Sequence, residues 1–248
     1  DYLAAGESLT LSYTVRVTDS SGAVANQTIV ITVNGTNDAP VLSDTVLTLA
    51  QTEDAALPSG VVGTLVSSLV AGVSDVDNGA LTGVAISGAD TTHGSWYYTN
   101  NGGASWTVFT ASDASALLLK SDASTRLYFK PTADWNGALS AGVTLHAWDA
   151  SSGSNGGTAD LSAAGATGGA TAFSAATDTV ALTVTAVNDR PVATLDATLG
   201  AYNEDSTAAG TVISTLAASF GYSDATDDQS GVAGNNNATS LSYLAIVG

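Results

Sequence analysis

The sequence predicts an all-β protein in which β-sandwiches follow one another along the chain. Ala, Gly, Ser, Thr and Val dominate the composition, and long helical periodicity is absent. Alternating runs of apolar and polar residues recur between turns rich in Gly, Asn and Asp. Runs of about five to eight residues separated by such turns are typical of antiparallel strands in sandwiches.

A short phrase occurs twice and defines a repeat. It is Asn-Asp-Ala-Pro at residues 37–40 and Asn-Asp-Arg-Pro at residues 188–191, and an acidic Glu-Asp pair follows each phrase, at 53–54 and 204–205. The two phrases are 151 residues apart, and so are the two acidic pairs. Two landmarks with one period indicate tandem repeats. We therefore expect three segments, with the C-terminal part of one sandwich in 1–36, a complete sandwich in 37–187 and the N-terminal part of a third in 188–248.

The partial segments predict a longer polypeptide. Half a sandwich would leave open strand edges and an uncovered core, so we expect the natural chain to continue at both ends. An alternative is that neighbouring copies complete each other's partial segments, as in donor-strand filaments. The combined length of segments 1–36 and 188–248 is well short of one 151-residue period, which argues against this alternative.

The strands within each segment follow from the alternating runs. Strands over 8–17 and 25–33 predict a hairpin in the first segment, and the third holds about three strands. Asn-Asn-Gly-Gly at 100–103 predicts a tight hairpin turn. The run at 151–176 is rich in Gly, Ser, Ala and Thr, which predicts a long surface loop. Nine strands are expected in the complete segment, near 41–50, 61–70, 81–87, 95–99, 105–110, 116–120, 126–130, 143–148 and 179–187.

The charge balance excludes some classes of partner. The chain has 23 acidic and 5 basic residues, for a formal net charge of -18. Nucleic acids and anionic membrane surfaces bind basic patches, so neither is expected as a partner. Aspartate accounts for 20 of the acids. Because Asp favours turns and hard-cation loops, this bias indicates bound metal.

Other sources of rigidity or anchoring are missing from the sequence. There is no Cys, which excludes disulfides, thiolate catalysis and Cys-based zinc sites. No apolar run approaches the roughly 18 residues needed to cross a bilayer, so no membrane insertion is expected in this segment. Bound calcium is then the expected source of rigidity.

Strand direction predicts where the acids meet. Sixteen residues separate Asn37 from Glu53, and an extended strand of that length spans about 50 Å, the height of a sandwich. The phrase and the acidic pair should therefore lie at opposite poles. We expect a first site of Asn37, Asp38, Asp75, Asp77 and Asp149, with Asp1 as a possible contributor. We expect a second site of Glu53, Asp134, Asn188, Asp189, Asp224 and Asp227, with Asp54 as a weaker candidate.

Calcium is the cation that fits these side chains. Several carboxylates within a few ångströms repel one another unless a cation neutralises them. Calcium (Ca2+) takes six to eight oxygen ligands with tolerant geometry, whereas magnesium requires fewer carboxylates and a strict octahedron. The sequence therefore predicts calcium as the cofactor.

The order of these motifs resembles the cadherin repeat. Glu53 precedes Pro-x-Gly at 58–60, Asp-x-Asp-x-Gly follows at 75–79, and a closing Asn-Asp-x-Pro ends the unit. The resemblance implies an immunoglobulin-like, Greek-key sandwich stacked end to end on the next, with calcium between successive domains. The chain lacks the Leu-Asp-Arg-Glu motif of cadherins and has Asp-Trp-Asn-Gly at 134–137 in that region.

A closer likeness is to the cadherin-like repeats of giant bacterial surface adhesins. Residues 1–40 resemble the end of a VCBS-type repeat, with Leu-Ala-Ala-Gly-Glu at 3–7, Tyr-Thr-Val at 13–15 and Gly-Thr-Asn-Asp-Ala-Pro at 35–40. The motifs of the complete segment are Gly-x-Trp-x-Tyr at 94–98, Gly-Gly-x-x-Trp at 102–106, Ala-Leu-Leu-Leu at 116–119, Pro-x-Ala-Asp-x-Asn-Gly at 131–137 and Ala-Trp-Asp at 147–149. The resemblance implies an extracellular or secreted stalk that supports adhesion or biofilm formation.

No catalytic constellation is recognisable, so we do not expect an enzyme. His93 and His146 are the only histidines, and neither lies in a Ser-His-Asp order or a metal-binding helix. The aromatic residues are expected mainly in the core. Tyr97 alternates with two other aromatics and is the position where a carbohydrate site is expected if one exists.

Three functions from different classes therefore remain open. The first is a calcium-stiffened stalk segment whose partners are the neighbouring repeats of the same polypeptide. The second is a self-assembling extracellular filament of copies of this chain. The third is a carbohydrate-binding module that uses exposed Trp and Tyr. The host or surface glycan or protein to which the parent would adhere is not predicted.

Overall fold

The computed structural model describes residues 3–77 and 82–189, together with 192–193, 204 and 222–223. It divides into two compact units. Unit 1 comprises residues 1–50, 56–130 and 138–183, and unit 2 comprises 51–55, 131–137 and 184–248. The described residues are almost entirely strands and turns, which confirms the predicted all-β class. The predicted three-segment division stays a prediction.

The first two strands form a separate two-stranded sheet. They are β1 (Ser8–Thr18) and β2 (Val24–Asn34), and they pair antiparallel over eleven residues. The turn between them is closed by Asp19, whose Oδ1 accepts hydrogen bonds from the backbone N–H groups of Ser21 and Ala23. The hydrogen bond that the Ser21 hydroxyl donates to the same oxygen, together with these backbone hydrogen bonds, lowers the pKa of Asp19. The predicted hairpin is confirmed.

Two larger sheets form the body of the fold. The order of the six-stranded sheet is β13-β10-β7-β12-β14-β4, and that of the four-stranded sheet is β5-β11-β8-β9. The six-stranded sheet consists of β4 (Leu47–Thr52), β7 (Gly83–Ala89), β10 (Ala116–Lys120), β12 (Gly137–Trp148), β13 (Thr158–Ala159) and β14 (Phe173–Thr185). The four-stranded sheet consists of β5 (Thr64–Leu65), β8 (Gly94–Thr99), β9 (Thr107–Phe109) and β11 (Arg126–Pro131). Short pairs complete the described sheets, β3 (Val41–Leu42) with β6 (Val73–Ser74) and β15 (Val192–Ala193) with β16 (Tyr222–Ser223).

The core of unit 1 lies between the two larger sheets. Trp96 on β8 is fully buried, and its ring lies 4.9 Å from that of Phe129 on β11. A Cβ added to Gly142 on β12 would lie 3.2 Å from the Trp96 ring, so the six-stranded sheet meets the four-stranded sheet here. The indole N–H of Trp96 donates to the carbonyl of Asp90. These contacts confirm the β-sandwich.

Several predicted strands are wrong in extent, and β12 and β14 each begin six residues before the strands predicted near 143–148 and 179–187. The run at 61–70 forms only β5, followed by a 3-10 turn at Val66–Leu69. Val66 and Leu69 are both buried, and a spacing of three residues places both on one side of a 3-10 turn. The run at 41–50 is split between β3 and β4, because the N–H and hydroxyl of Thr45 both donate to Asp178 Oδ2 where the chain changes sheets.

The run at 151–176 is more ordered than its composition predicts. It contains the short strand β13, and Leu161 and Ala172 within it are buried against Trp148 and Leu118. The side chains are small, so their packing leaves no strong periodic signal in the sequence. The predicted structureless surface loop is therefore wrong in part.

The hairpin turn at 100–103 is confirmed. Strands β8 and β9 pair antiparallel around it, and Thr99 Oγ1 accepts hydrogen bonds from the N–H groups of Asn101 and Gly103. Gly103 has a φ of +90°, and an added Cβ would lie 1.9 Å from the Gly60 carbonyl oxygen. Only glycine fits this position.

In the part of the chain that the structure describes, no helix is long and apolar enough to span a membrane.

Candidate metal centres

The first acidic group lies in unit 1 and combines three parts of the chain. Asp38 belongs to the segment after β2, Asp75 and Asp77 follow β6, and Asp149 follows β12. Asp75 and Asp149 stand directly beyond strand ends, so the strands fix their positions. The structure thus brings together four of the five residues predicted for this site, and the fifth, Asn37, contacts them.

Backbone donors hold two of these carboxylates in place. Asp77 accepts the Ala5 N–H through Oδ1 at 3.1 Å and the Asp38 N–H through Oδ2 at 3.0 Å. The Asp77 N–H in turn donates to Asp75 Oδ1 at 2.9 Å. Ala5, which precedes the hairpin, therefore contacts this group through its backbone N–H. The predicted contributor Asp1 lies outside the described residues.

Asn37 links the segment after β2 to the end of β12. Its Nδ2 donates to Asp149 Oδ2 at 2.9 Å, to the Thr171 carbonyl at 3.1 Å and to the Asp38 carbonyl at 3.1 Å. The other Asp149 oxygen accepts the Ser151 N–H at 2.7 Å. Asn37 therefore positions this group through its amide nitrogen.

Two oxygens of this group have unsatisfied hydrogen-bonding capacity. Oδ2 of Asp38 and Oδ2 of Asp75 are buried and accept no hydrogen bond. Burial raises the pKa of Asp75, and the charges of Asp77, Asp149 and Asp38 raise it further, against the opposing hydrogen bond from the Asp77 N–H. Buried oxygens without donors among like charges are the environment that a cation relieves.

The second acidic group lies in unit 2. Asp54, Asp134 and Asp189 each place a carboxylate oxygen such that the three oxygens lie within 4.8 Å of one another. The Asp134 N–H donates to Asp54 Oδ1 at 3.2 Å. Asp54 and Asp134 both have left-handed backbones, with φ of 57° and 58°. Aspartate tolerates this conformation better than most residues, but it is uncommon, and such backbones concentrate at functional sites.

Glu53 organises the second group without joining the carboxylate cluster. It is 1% exposed, and its Oε1 accepts the Val187 N–H while its Oε2 accepts Nδ2 of Asn136 at 2.9 Å. Its own N–H donates to the Thr185 carbonyl at 2.9 Å. Asp54 follows Glu53 directly, Asn136 is two residues after Asp134, and Val187 is two residues before Asp189. One buried carboxylate thus ties together the three segments that supply the aspartates.

The two copies of the repeated phrase share one local contact. Nδ2 of Asn37 donates to the carbonyl of Asp38 at 3.1 Å, and Nδ2 of Asn188 donates to the carbonyl of Asp189 at 2.8 Å. The asparagine side chain therefore makes the same hydrogen bond to the following residue in both copies. This shared geometry gives the sequence repeat a physical counterpart.

The predicted second site is present in part and differs in its membership. Asp134 and Asp189 meet, and Glu53 lies next to them in the chain with both carboxylate oxygens engaged by donors. Asp54, the weaker candidate, lies in the carboxylate cluster instead of Glu53. The predicted ligands Asp224 and Asp227 lie outside the described residues. Sequence spacing located the Glu-Asp pair, but which of its members turns outward depends on the left-handed backbone at Asp54.

Among the described residues, the second group has the donor set suited to a hard cation, since three carboxylate oxygens lie within 4.8 Å of one another. The carboxylates of the first group interact through the Asp38 and Asp77 backbone N–H groups and through the charges that act on Asp75. Outside these two groups, Asp178 and His146 are buried and have ordinary structural partners; Asp178 accepts hydrogen bonds from the N–H and hydroxyl of Thr45. Nδ1 of His146 lies 2.7 Å from the Ser174 carbonyl.

Comparisons with protein-family models, curated proteins and solved structures gave no match to this chain.

Proposed function

We propose that this chain is a calcium-binding structural segment of an extracellular bacterial adhesin stalk, and that it acts without catalysis. In this proposal, calcium neutralises both acidic groups and fixes the chain where one repeat leads to the next. Where calcium is scarce, the charge of -18 keeps these segments loose, whereas millimolar calcium outside a cell stiffens them.

One observation supports this proposal above the others. The phrase Asn-Asp-x-Pro occurs twice, and both times its aspartate lies in a separate group with acids that are distant in sequence. A solvated carboxylate on the surface requires neither burial nor neighbouring carboxylates. Asp38 and Asp75 instead have buried oxygens without donors, and Asp54 and Asp134 have uncommon left-handed backbones and carboxylates close to that of Asp189.

Calcium titration of the metal-stripped chain tests the proposal. We expect two bound calcium ions per chain by isothermal titration calorimetry, with dissociation constants of about 0.1–1 mM, the range of extracellular modules. Asp75→Asn should remove one binding event and Asp134→Asn the other, since each replaces a carboxylate of one group. Magnesium should bind at least tenfold more weakly because the carboxylates are too many for its octahedron.

Asp113→Asn is the matched control. Asp113 is an exposed aspartate outside both groups, so this variant should bind calcium as the wild type does. A titration without measurable calcium binding at 10 mM would overturn the proposal. Unaltered binding in both Asp75→Asn and Asp134→Asn would also overturn it.

The β1–β2 hairpin favours self-assembly as a second candidate function. Alternate residues of a strand share a face, and directly paired residues of neighbouring strands share it too. One face of this hairpin is almost wholly apolar, and seven of its large side chains are 41–62% exposed. We call it the hairpin face; its large apolar residues are Leu9, Leu11, Tyr13, Val15, Val17, Ile29, Ile31 and Val33.

A second copy of the chain is the occupant that suits this face. Residues 8–34 contain one cation, Arg16, and one anion, Asp19, so the hairpin is neutral within a strongly acidic chain. Two hairpin faces can therefore pack together without the repulsion that other surfaces of the chain would meet. Each strand is about 36 Å long, so two packed faces would bury on the order of 1,000 Å², the small end of specific interfaces.

Light scattering with size-exclusion chromatography tests this candidate. We expect the wild type to shift from monomer to dimer between about 1 and 100 µM, and Ile29→Thr/Ile31→Thr to remain monomeric because two central apolar contacts are lost. Val30→Thr is the control, since Val30 lies between them on the opposite face and is 58% exposed. A wild type that stays monomeric throughout, or a dimer that Val30→Thr disrupts equally, would contradict this candidate.

A further inference from the structure

The outer face of the four-stranded sheet differs from the rest of the surface in charge and in aromatic content. On β11 the residues alternate, with Leu127 and Phe129 buried toward the core and the residues between them turned outward. On β8 and β9 the buried Trp96 and Phe109 alternate in the same way with outward neighbours. We call the outward set the outer aromatic face; it consists of Tyr97, Trp106, Val108, Arg126, Tyr128 and Lys130.

This face is cationic within an acidic protein. Two of the five basic residues of the chain, Arg126 and Lys130, lie on one strand with Tyr128 between them. None of the four strands of this sheet contains Asp or Glu. The face therefore opposes the net charge of -18 locally, and it fits an anionic partner.

Backbone carbonyls hold the side chains of this face in fixed positions. Tyr128 donates its hydroxyl to the Ala56 carbonyl at 2.9 Å, and Trp106 donates its indole N–H to the Gly60 carbonyl at 3.2 Å. The rings of Trp106 and Tyr128 pack edge to face, with centroids 5.9 Å apart. Rings that are already immobilised lose little conformational entropy when a ligand stacks on them.

Arg126 has hydrogen-bonding capacity that the protein does not use. Its Nη1 donates to the Gly63 carbonyl at 3.0 Å, whereas its Nε is buried and donates to no acceptor. The buried Nε is out of reach of a ligand, but a guanidinium has five N–H donors, so those at its outer end beyond the bond to Gly63 can pair with a carboxylate. The chemistry of this face is thus a cation with donors to spare beside aromatic rings.

We propose that the outer aromatic face binds a carboxylated polysaccharide. Aromatic rings present flat apolar surfaces on which sugar rings stack, and the arginine and lysine pair with the carboxylates of uronate units. Arg126 and Lys130 are four residues apart along a strand, or about 13 Å, which accommodates more than one sugar ring between the two cations. A neutral glycan would offer the guanidinium no carboxylate, and a polyanion without sugar rings would offer the aromatic residues no stacking surface.

Affinity electrophoresis of the whole chain through gels containing polygalacturonate tests this proposal. The gels contain excess chelator, so carboxylates bridged by calcium to the acidic groups do not contribute. The result is therefore independent of the proposed calcium sites. We expect polygalacturonate to retard the chain, and neutral dextran and polyglutamate to leave its mobility unchanged. Raising the salt concentration should weaken the retardation because the contacts are partly ionic.

Variants on the face should weaken binding by different amounts. We expect Tyr97→Thr to weaken it about tenfold through lost stacking, and Lys130→Gln and Arg126→Gln about two- to fivefold each through lost charge. Lys120→Gln is the control, because Lys120 is a cation at the end of β10 in the other sheet and should not matter. Circular dichroism establishes that each variant is folded. If Arg126→Gln fails to fold, Tyr97→Thr and Lys130→Gln provide the test.

Three outcomes would overturn the proposal. One is the absence of retardation by polygalacturonate. Another is equal retardation by polyglutamate, which would show attraction by charge alone. The third is a loss in Lys120→Gln as large as in Lys130→Gln, which would place binding elsewhere.

Discussion

Saturating calcium is expected to raise the melting temperature of the metal-stripped chain by about 5–10 °C. A ligand present at a hundred times its dissociation constant stabilises the folded state by about 2.7 kcal/mol, and about 1 kcal/mol shifts the midpoint of a domain of 150–250 residues by roughly 2–4 °C. The two acidic groups lie in different units, so each ion stabilises its own unit. Differential scanning calorimetry with calcium, with magnesium and with chelator measures the effect.

Asp75→Asn is expected to raise the melting temperature in chelator and to reduce its rise in calcium. In chelator the variant should melt about 2–4 °C higher than the wild type, because it removes a desolvated charge that Asp77, Asp149 and Asp38 repel. In calcium the variant should lose the part of the rise in melting temperature that comes from calcium binding at the first group. Asp113→Asn, the exposed control, should respond to calcium as the wild type does. A variant that melts lower than the wild type under both conditions would contradict this interpretation of the first group.

The pH dependence of that variant follows from the direction of the shift. The pKa of Asp75 in the folded chain is raised above its ordinary value of 3.8. Ionisation of Asp75 therefore destabilises the metal-free folded state as pH rises above that value. As pH falls the wild-type side chain becomes protonated and neutral, like Asn. The advantage of Asp75→Asn in chelator should be largest at neutral pH and should vanish in acid.

The parts of the fold that the sequence predicts are those with strong local patterns. The β1–β2 hairpin follows from strict alternation, and the turn at 100–103 follows from consecutive glycines that permit positive φ. The 3-10 turn at Val66–Leu69 was not predictable, because a short apolar run is compatible with a strand or a helical turn. Burial of Leu161 depends on contacts with residues far along the chain, which no local pattern encodes.

In the candidate sites, too, some features follow from local sequence patterns and others depend on contacts between distant segments. Strand direction predicted that Asp38, Asp75, Asp77 and Asp149 meet, because it brings the loops that contain them to one pole. The sequence could not decide which carboxylate of the pair Glu53-Asp54 faces the cluster. That choice depends on the left-handed backbone at Asp54 and on the donors Val187 and Asn136, which are supplied by distant segments.

Glu53→Ala is expected to destabilise unit 2 by about 3 kcal/mol. Glu53 is 1% exposed, and truncation leaves the Val187 N–H and the Asn136 amide without their acceptor and opens a cavity. Losing hydrogen bonds to a charged group costs about 1.5–3 kcal/mol, and a buried cavity adds to that cost. Urea denaturation, followed by circular dichroism, measures the change in the free energy of unfolding.

Glu53→Gln separates the role of Glu53 in positioning from a role as a ligand. Glutamine keeps the volume and one acceptor for the Val187 N–H, and Asn136 can rotate its amide to present an oxygen to the new NH2 group. We therefore expect this variant to lose about 1 kcal/mol at most and to bind calcium within about threefold of the wild type.

The calcium affinity of the second group then distinguishes the two roles. If Glu53 acts by tying Asp54, Asp134 and Asp189 together, Glu53→Ala weakens calcium binding there at least tenfold while Glu53→Gln does not. If Glu53 instead coordinates the ion, Glu53→Gln loses affinity about as severely as Asp134→Asn. The geometry favours the first outcome, because both carboxylate oxygens of Glu53 already accept hydrogen bonds and the exposed carboxylates of Asp54 and Asp134 lie within 4.8 Å of that of Asp189.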